Sequence, residues 1–412
     1  MLPSRSPRPP APTGAALAVA ILAVAACDRG GTAAEPMPWT ERDSAGVVVV
    51  DNDPARVPLD GWSVDPVPLL AVGGLDAAES HQLYQVEGAT RLPDGRVAVA
   101  SAGTFDVRIY DASGALVARH GAEGDGPGEF RDLALMGRYG ADTLVVFDAT
   151  SSRLTWIHPD RGIVGSTPVV WGGLGFPVGR GLLADGSILV GGGMTFSSSE
   201  GFPTGVIRPP STFGWVGRDG TEARRLGDYP ASEMFARANE QGFMARGLPF
   251  GRATRAAPAL AGVWLAPGDG DEIRLFGMDG ALERVVRTSA PRRGVTAADR
   301  AAYVDDEVSS TSSDNEARQL RALLEEMPFP ETFPPFQALV TDSEGNLWVQ
   351  EYPTPGQTDP AWTVFDAGGH VTARLGTPPR TRILEIGADY VLGRTLDDLD
   401  VEILTLWRLN RP

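Results

Sequence analysis

One local pattern of apolar and polar positions recurs along most of the chain. It is a short apolar run, a Gly/Asp turn, a second run with apolar residues on alternate positions, a loop, and two further runs joined by another turn. The clearest copy reads Gly88-Ala-Thr-Arg-Leu-Pro-Asp-Gly-Arg-Val-Ala-Val-Ala-Ser101, continuing as Val107-Arg-Ile-Tyr-Asp-Ala-Ser-Gly-Ala-Leu-Val-Ala-Arg119. Val97 with Val99, and Val107 with Ile109, show the period of two that a strand needs. Pro93-Asp94-Gly95 and Asp111-Ala112-Ser113-Gly114 carry the residues of tight hairpin turns. Each copy is therefore expected to form two hairpins, a four-stranded antiparallel sheet.

The first hairpin recurs at Gly140-Ala141-Asp142, Ala184-Asp185-Gly186, Ala261-Gly262, Ser343-Glu344-Gly345 and Gly387-Ala388-Asp389, which makes six copies. The second recurs at residues 160–162, 219–220, 279–280 and 366–369. The sixth copy ends with its third strand, Val401 to Trp407. Pro68 to Gly74, near the other end, reads as a fourth strand with no third before it. Pairing these two ends would remove the free edges that an open array leaves. The expected fold is all-β, a six-bladed β-propeller over residues 46–412, its last blade closed by an N-terminal strand.

The long segments 191–212, 228–250, 291–335 and 352–361 fall between second and third strands or between copies, positions that share one face of such an array. Residues 291–335, between blades 4 and 5, have helical signals. Thr296-Ala-Ala-Asp299 has the form of a capping box, and Leu320, Leu323, Leu324 and Met327 follow helical spacing after a cap at Ser313 or Asp314. Their apolar stripe is expected to bury against the channel mouth.

Composition narrows the function. The 412 residues include 50 Gly and 34 Pro, and hydrophobic residues make 42% of the chain, so turns are frequent without the polarity of a disordered chain. The formal charge is −17, and every basic residue is Arg. Such an acidic chain repels phosphate backbones, so nucleic acid is excluded as an expected partner. Residues 1–27 read as an export signal: Arg5 and Arg8 precede an apolar stretch from Ala15 to Ala26 that is too short to span a bilayer. Val24-Ala25-Ala26-Cys27 resembles the bacterial lipoprotein lipobox, and Cys27 is the sole cysteine, unable to form an internal disulfide. This implies lipidation at Cys27, a membrane anchor, and a place on the periplasmic side of the cell envelope. The choice between inner and outer membrane stays open, although Asp28 resembles a retention signal for the inner one. Residues 28–45 read as a flexible tether, and the chain is expected to be a monomer.

Gly124-Asp-Gly-Pro-Gly-Glu-Phe130 resembles a signature of bacterial six-bladed propeller lipoproteins, and Asp342-Ser-Glu-Gly-Asn-Leu-Trp-Val349 is similar to the core phrase of the NHL repeat. Asp43 to Val50, ahead of Trp62, fits the entry segment of those lipoproteins. The resemblance extends over about residues 43–409. It implies an architecture and carries no activity.

Two functions compete. Phe235, Phe243, Met244, Phe250, Phe329 and Phe333 from the long segments, with Arg237, Arg246 and Arg252, would suit a groove for a protein, peptide or glycan. On that reading the chain is a tethered, non-catalytic binding module. The alternative is a metal-assisted hydrolase or lactonase. Lactonase-type propellers hold calcium in the channel, and Glu87, Asp106, Asp125, Glu129 and Asp148 are the candidate channel-mouth carboxylates. His81, His120, His158 and His370 are scattered, and no Cys pair exists, so neither a zinc site nor an obligatory cofactor is expected. Calcium is the one metal with any support.

Overall fold

A computed structural model describes residues 37–58, 61–193, 202–239, 242–289 and 291–411. The export signal with Cys27, and the tether up to residue 36, lie outside the described residues. The described chain is nearly all β, with two α-helices, α1 (Ala297–Ser309) and α2 (Asp314–Glu326).

Six sheets follow one another, each built as two hairpins. The first holds Val86–Arg91, Val97–Ser101, Asp106–Tyr110 and Leu116–His120, paired in chain order. The second, third and fifth repeat this order, starting from Leu133–Tyr139, Pro177–Leu182 and Phe336–Thr341. The fourth starts from Arg255–Ala259 and ends at Leu282–Thr288. The sixth has Arg382–Ile386, Tyr390–Leu396 and Glu402–Asn410, and its outermost strand is Ser63–Gly73 from the start of the described chain. The register sets Leu70 opposite Leu406, Ala71 opposite Thr405, and Val72 opposite Leu404.

Both faces of these sheets are buried, which is why their second strands read as nearly continuous apolar runs. In Val97–Ser101 the pleat sends Val97 and Val99 into a cluster shared with the sixth sheet, and Ala98 and Ala100 into one shared with the second. Leu144 and Val146 likewise face the first sheet, while Val145 and Phe147 face the third. Further clusters join the third sheet to the fourth, the fourth to the fifth and the fifth to the sixth. Leu70, Val72, Leu404 and Leu406 all sit in the cluster between the sixth and first sheets. At about 1.5–3 kcal/mol for each such side chain removed from water, the seam between the two ends of the chain is a substantial part of the core.

The first strands of successive sheets run close together, and glycine makes this possible. Gly88 has φ +112°, and a Cβ there would lie 2.4 Å from the Leu135 carbonyl oxygen of the next sheet. Gly181, at φ +140°, would place a Cβ 2.7 Å from Pro258 Cγ. No side chain fits either position without moving backbone or a neighbouring ring.

The expected tether ends earlier than residue 45. Trp39–Ser44 is a strand paired antiparallel with Val47–Asn52, which itself runs parallel to Leu282–Thr288, so the hairpin enlarges the fourth sheet to six strands. Buried Asn52 then reaches the fifth sheet: its Oδ1 accepts from Val371 N at 2.8 Å, and its Nδ2 donates to the Gly369 carbonyl at 3.0 Å. Further on, Trp62 packs edge-on to Trp348 at 5.8 Å before the chain enters the sixth sheet. Residues 39–52 and 62–73 therefore strap the fourth, fifth and sixth sheets together. The β-branched run Val47 to Val50 explains the strand; only its partner lay beyond reach of the repeat pattern.

Both helices form where their caps predict. Thr296 and Asp299 exchange the reciprocal bonds of a capping box, and Ser313 Oγ accepts from Glu316 N. Their apolar stripe is buried in a cluster with residues of the other long segment. Leu320, Leu323, Leu324 and Met327 pack with Val304, Phe235, Leu248 and Phe329. Phe235 belongs to the hairpin Met234–Asn239 and Gly242–Gly247, which with Gly205–Ile207 forms a small three-stranded sheet inside segments expected to be loops.

Candidate functional site

The first strands of all six sheets line one cavity of about 920 Å³. In five of these strands the ladder skips a position: Glu87 with Gly88, Met136, Arg180, Gln337 and Leu384 have no partner on the adjoining strand. A bulge bends the strand and re-aims the extra residue, and every one of these residues lines the cavity. The repeated bulge thus gives each sheet a side chain to present to the lumen. The fourth sheet lacks the bulge and contributes Arg255 from the first position of its strand.

The aromatic residues expected to line a groove are instead packed on one another. Phe250, 6% exposed, lies 4.7 Å from Phe333, 5.7 Å from Phe329 and 5.2 Å from Tyr303, ring centre to ring centre. Phe235 is covered by the helices, and Phe243 stacks on Phe202 at 4.5 Å. The arginines beside them are also engaged. Arg237 pairs with Glu326 of α2, Arg246 with Glu307 of α1, and Arg252 with buried Glu233. Burial alone would raise the Glu233 carboxyl, but bonds from the Arg252 guanidinium and backbone N–H hold it below its ordinary value of 4.5. Burial, with Glu307 adding to it, pushes the Tyr303 hydroxyl up to about 12. These contacts fasten the helices and the small sheet to each other, so the expected groove is a packed interface.

The candidate carboxylates do not converge. Glu87 lines the cavity but is paired with Arg382 at 3.2 Å. Asp106 is fully buried on the third strand of the first sheet, held by Arg108 at 3.1 Å and by Arg119. Asp125 is exposed and paired with Arg131 at 2.8 Å, while Glu129 accepts from Gly126 N at 2.8 Å within its own turn. Asp148 accepts from Arg131 N at 2.7 Å and Ser151 N at 2.8 Å. The physical reason is placement: only Glu87 is on an inner strand. Among the described residues, no group of three or more His, Cys, Asp or Glu is placed to hold a metal ion.

What the sequence reading passed over is Arg180 and Arg255. Arg180 is crowded by protein yet remains wetted by the channel; burial lowers its pKa, and the neighbouring Arg255 charge adds to that. Burial lowers Arg255 too, opposed by Tyr352. A signal was present. Glu87-Gly88, Met136-Gly137 and Arg180-Gly181 occupy the same place in three successive repeats, and glycine inside a strand pattern marks a bulge.

No family model matches the sequence, and no curated protein matches it. Among solved structures, a protein of Bacteroides fragilis described as exported is 11% identical with a TM-score of 0.46, over 88% of this chain and 99% of that one. The virginiamycin B lyase of Staphylococcus aureus, solved with quinupristin, is 11% identical with a TM-score of 0.39, over 85% and 100%. A gluconolactonase of Xanthomonas campestris is 15% identical with a TM-score of 0.37, over 86% and 98%. Likenesses at this level transfer no activity and no residue role.

Proposed function

We propose that the chain is a six-bladed β-propeller, closed by its N-terminal strand, that acts as a non-catalytic binding module and takes its ligand into the central channel from the long-loop face. The signal at residues 1–27 would export it, and lipidation of Cys27 would hold it on the periplasmic side of the cell envelope. The observation that carries the binding reading is the lumen itself: about 920 Å³, the size of a small-molecule or side-chain pocket, with side chains delivered to it by repeated bulges. The groove first expected on the long-loop face is not proposed again, because its aromatics and arginines are spent on internal packing. A peptide or glycan would enter only by an end or a side group that fits the channel.

Gln337→Trp tests this, since Gln337 is the bulged residue of the fifth sheet and a large ring there narrows the lumen. Purified wild-type chain is expected to bind members of a peptide and oligosaccharide array, and the variant to lose them while its unfolding transition is kept. Binding that persists at full strength in Gln337→Trp would refute the channel as the site.

A further inference from the structure

Two guanidinium groups in the channel have neither a counter-charge nor a hydrogen bond among the described residues. Arg180 is the residue that the bulge of the third sheet turns out of the ladder, and Arg255 opens the inner strand of the fourth. Both line the cavity, and their strands come into contact beside Gly181 and Pro258. Among the described residues, neither arginine makes an ion pair or a hydrogen bond.

The other charged side chains of the lining each have a hydrogen-bond partner. Arg382 has Glu87, and Arg138 donates to the Ala141 carbonyl at 3.3 Å. Asp342 accepts from Arg411 at 2.9 Å and from the Trp348 indole at 3.1 Å. Glu385 accepts from the Tyr390 hydroxyl at 2.6 Å and from Arg91 N at 2.9 Å. Within this lining, and among the described residues, Arg180 and Arg255 are thus the charged side chains without a partner, in a chain whose formal charge is −17. Like charges held close together repel one another, and an anion between them relieves that repulsion. Among the described residues, no acidic side chain is in place to do so.

We propose that the channel binds a small organic acid, its carboxylate held between Arg180 and Arg255 and its carbon body lying on the apolar lining of Met136, Leu182, Pro258 and Leu339. This rests on the channel being the ligand site, and it names the class of ligand. A guanidinium is a planar fork of donors that matches a carboxylate edge. The apolar lining favours an anion with a carbon body over a bare inorganic ion, and the acidic field of the whole chain disfavours multiply charged ligands.

The test measures thermal unfolding of the purified full-length chain at constant ionic strength, with benzoate, glucuronate and succinate as carboxylate probes and inorganic phosphate for comparison. At about a hundred times its dissociation constant, at least one carboxylate is expected to raise Tm by several degrees, on the order of 2–5 °C. Arg180→Gln and Arg255→Gln are each expected to weaken that probe at least about thirtyfold, the usual loss when one partner of a charged pair is removed. Arg131→Gln, whose partner Asp125 lies outside the channel, is expected to keep the full shift. Without ligand, both channel variants are expected to unfold at or above the wild-type temperature, because each removes an uncompensated charge. Should either fail to fold, the corresponding Lys variant keeps the charge without the fork and is expected to bind about tenfold more weakly. No shift with any carboxylate, a phosphate shift as large as theirs, or a shift that survives both Gln variants would each overturn the assignment. A neutral ligand lost in Gln337→Trp but indifferent to both arginines would overturn this ligand class and leave the channel reading standing.

Discussion

Asn52→Leu isolates the strap that the N-terminal hairpin throws across the fourth and fifth sheets. Asn52 is 3% exposed, and its amide makes three bonds: Oδ1 accepts from Val371 N at 2.8 Å, and Nδ2 donates to the carbonyls of Gly369 at 3.0 Å and Arg287 at 3.3 Å. Leucine keeps the same branched outline and is somewhat larger, so no cavity is created. What is lost is the satisfaction of a buried N–H and a buried C=O on the neighbouring sheet. Each orphaned group costs about 1–3 kcal/mol, and with two of them the expected loss is about 3 kcal/mol. Urea unfolding followed by tryptophan fluorescence gives the global figure. Amide exchange gives the local one, and Val371 is expected to exchange roughly a hundredfold faster, since about 1.4 kcal/mol corresponds to tenfold. Asp43→Ala, which removes only the exposed 3.3 Å bond to Gly46 N, serves as the comparison and is expected to stay within about 0.5 kcal/mol of wild type. A loss below about 0.5 kcal/mol for Asn52→Leu, with Val371 exchange unchanged, would refute the claim that this amide pins the sheets.

Gly88→Ala is expected to cost about 2–4 kcal/mol in chemical unfolding, because it combines a positive φ with a contact 2.4 Å from the Leu135 carbonyl. Leu324→Ala, at a side chain with 0% exposure in α2, is expected to cost about 3 kcal/mol and to speed amide exchange in residues 297–326, with ligand binding in the channel unchanged. Stability should also fall in acid. Glu233 and Glu272 are held below their ordinary value of 4.5 by Arg252 and by Arg287 with Arg274, against the opposing effect of burial. Their contribution is therefore present above 4.5 and lost as pH drops through the lower folded values; Glu233→Gln should flatten that part of a Tm-against-pH curve. In cells making the full chain, Cys27→Ser is expected to move the protein from the detergent phase to the aqueous phase on phase partition. Equal partition of the two would remove the lipid anchor.

The sheets were legible because their chemistry is local. Asp-Gly turns, alternating valines and the two caps at Thr296 and Ser313 act over a few residues, and repetition of the hairpins reinforced the turn and strand signals. The unmatched strand at Pro68 to Gly74 could also be placed, since a strand without neighbours and a sheet without its fourth strand leave little choice. The site was read poorly for the opposite reason. Whether an arginine is free or paired depends on residues far away in sequence: Arg237 meets Glu326, Arg246 meets Glu307, and Arg180 meets no carboxylate among the described residues. Aromatic residues in long segments look the same whether they wait for a ligand or pack on helices, as Phe250 and Phe329 do. Asp106 and Asp148 look like channel groups in the sequence, but they sit on the third and second strands of their sheets, away from the lumen.

The central claim is that the start of the described chain seals the ring against its end, since only a sealed ring makes the channel a defined site. Ala71 and Thr405 lie opposite one another across that seam, close enough for a disulfide between facing strands. In a Cys27→Ser background, mild oxidation of the Ala71→Cys, Thr405→Cys double variant is expected to give a monomer that migrates faster on a non-reducing gel and unfolds at higher temperature. Free thiols after oxidation, or crosslinks only between molecules, would contradict the closed ring.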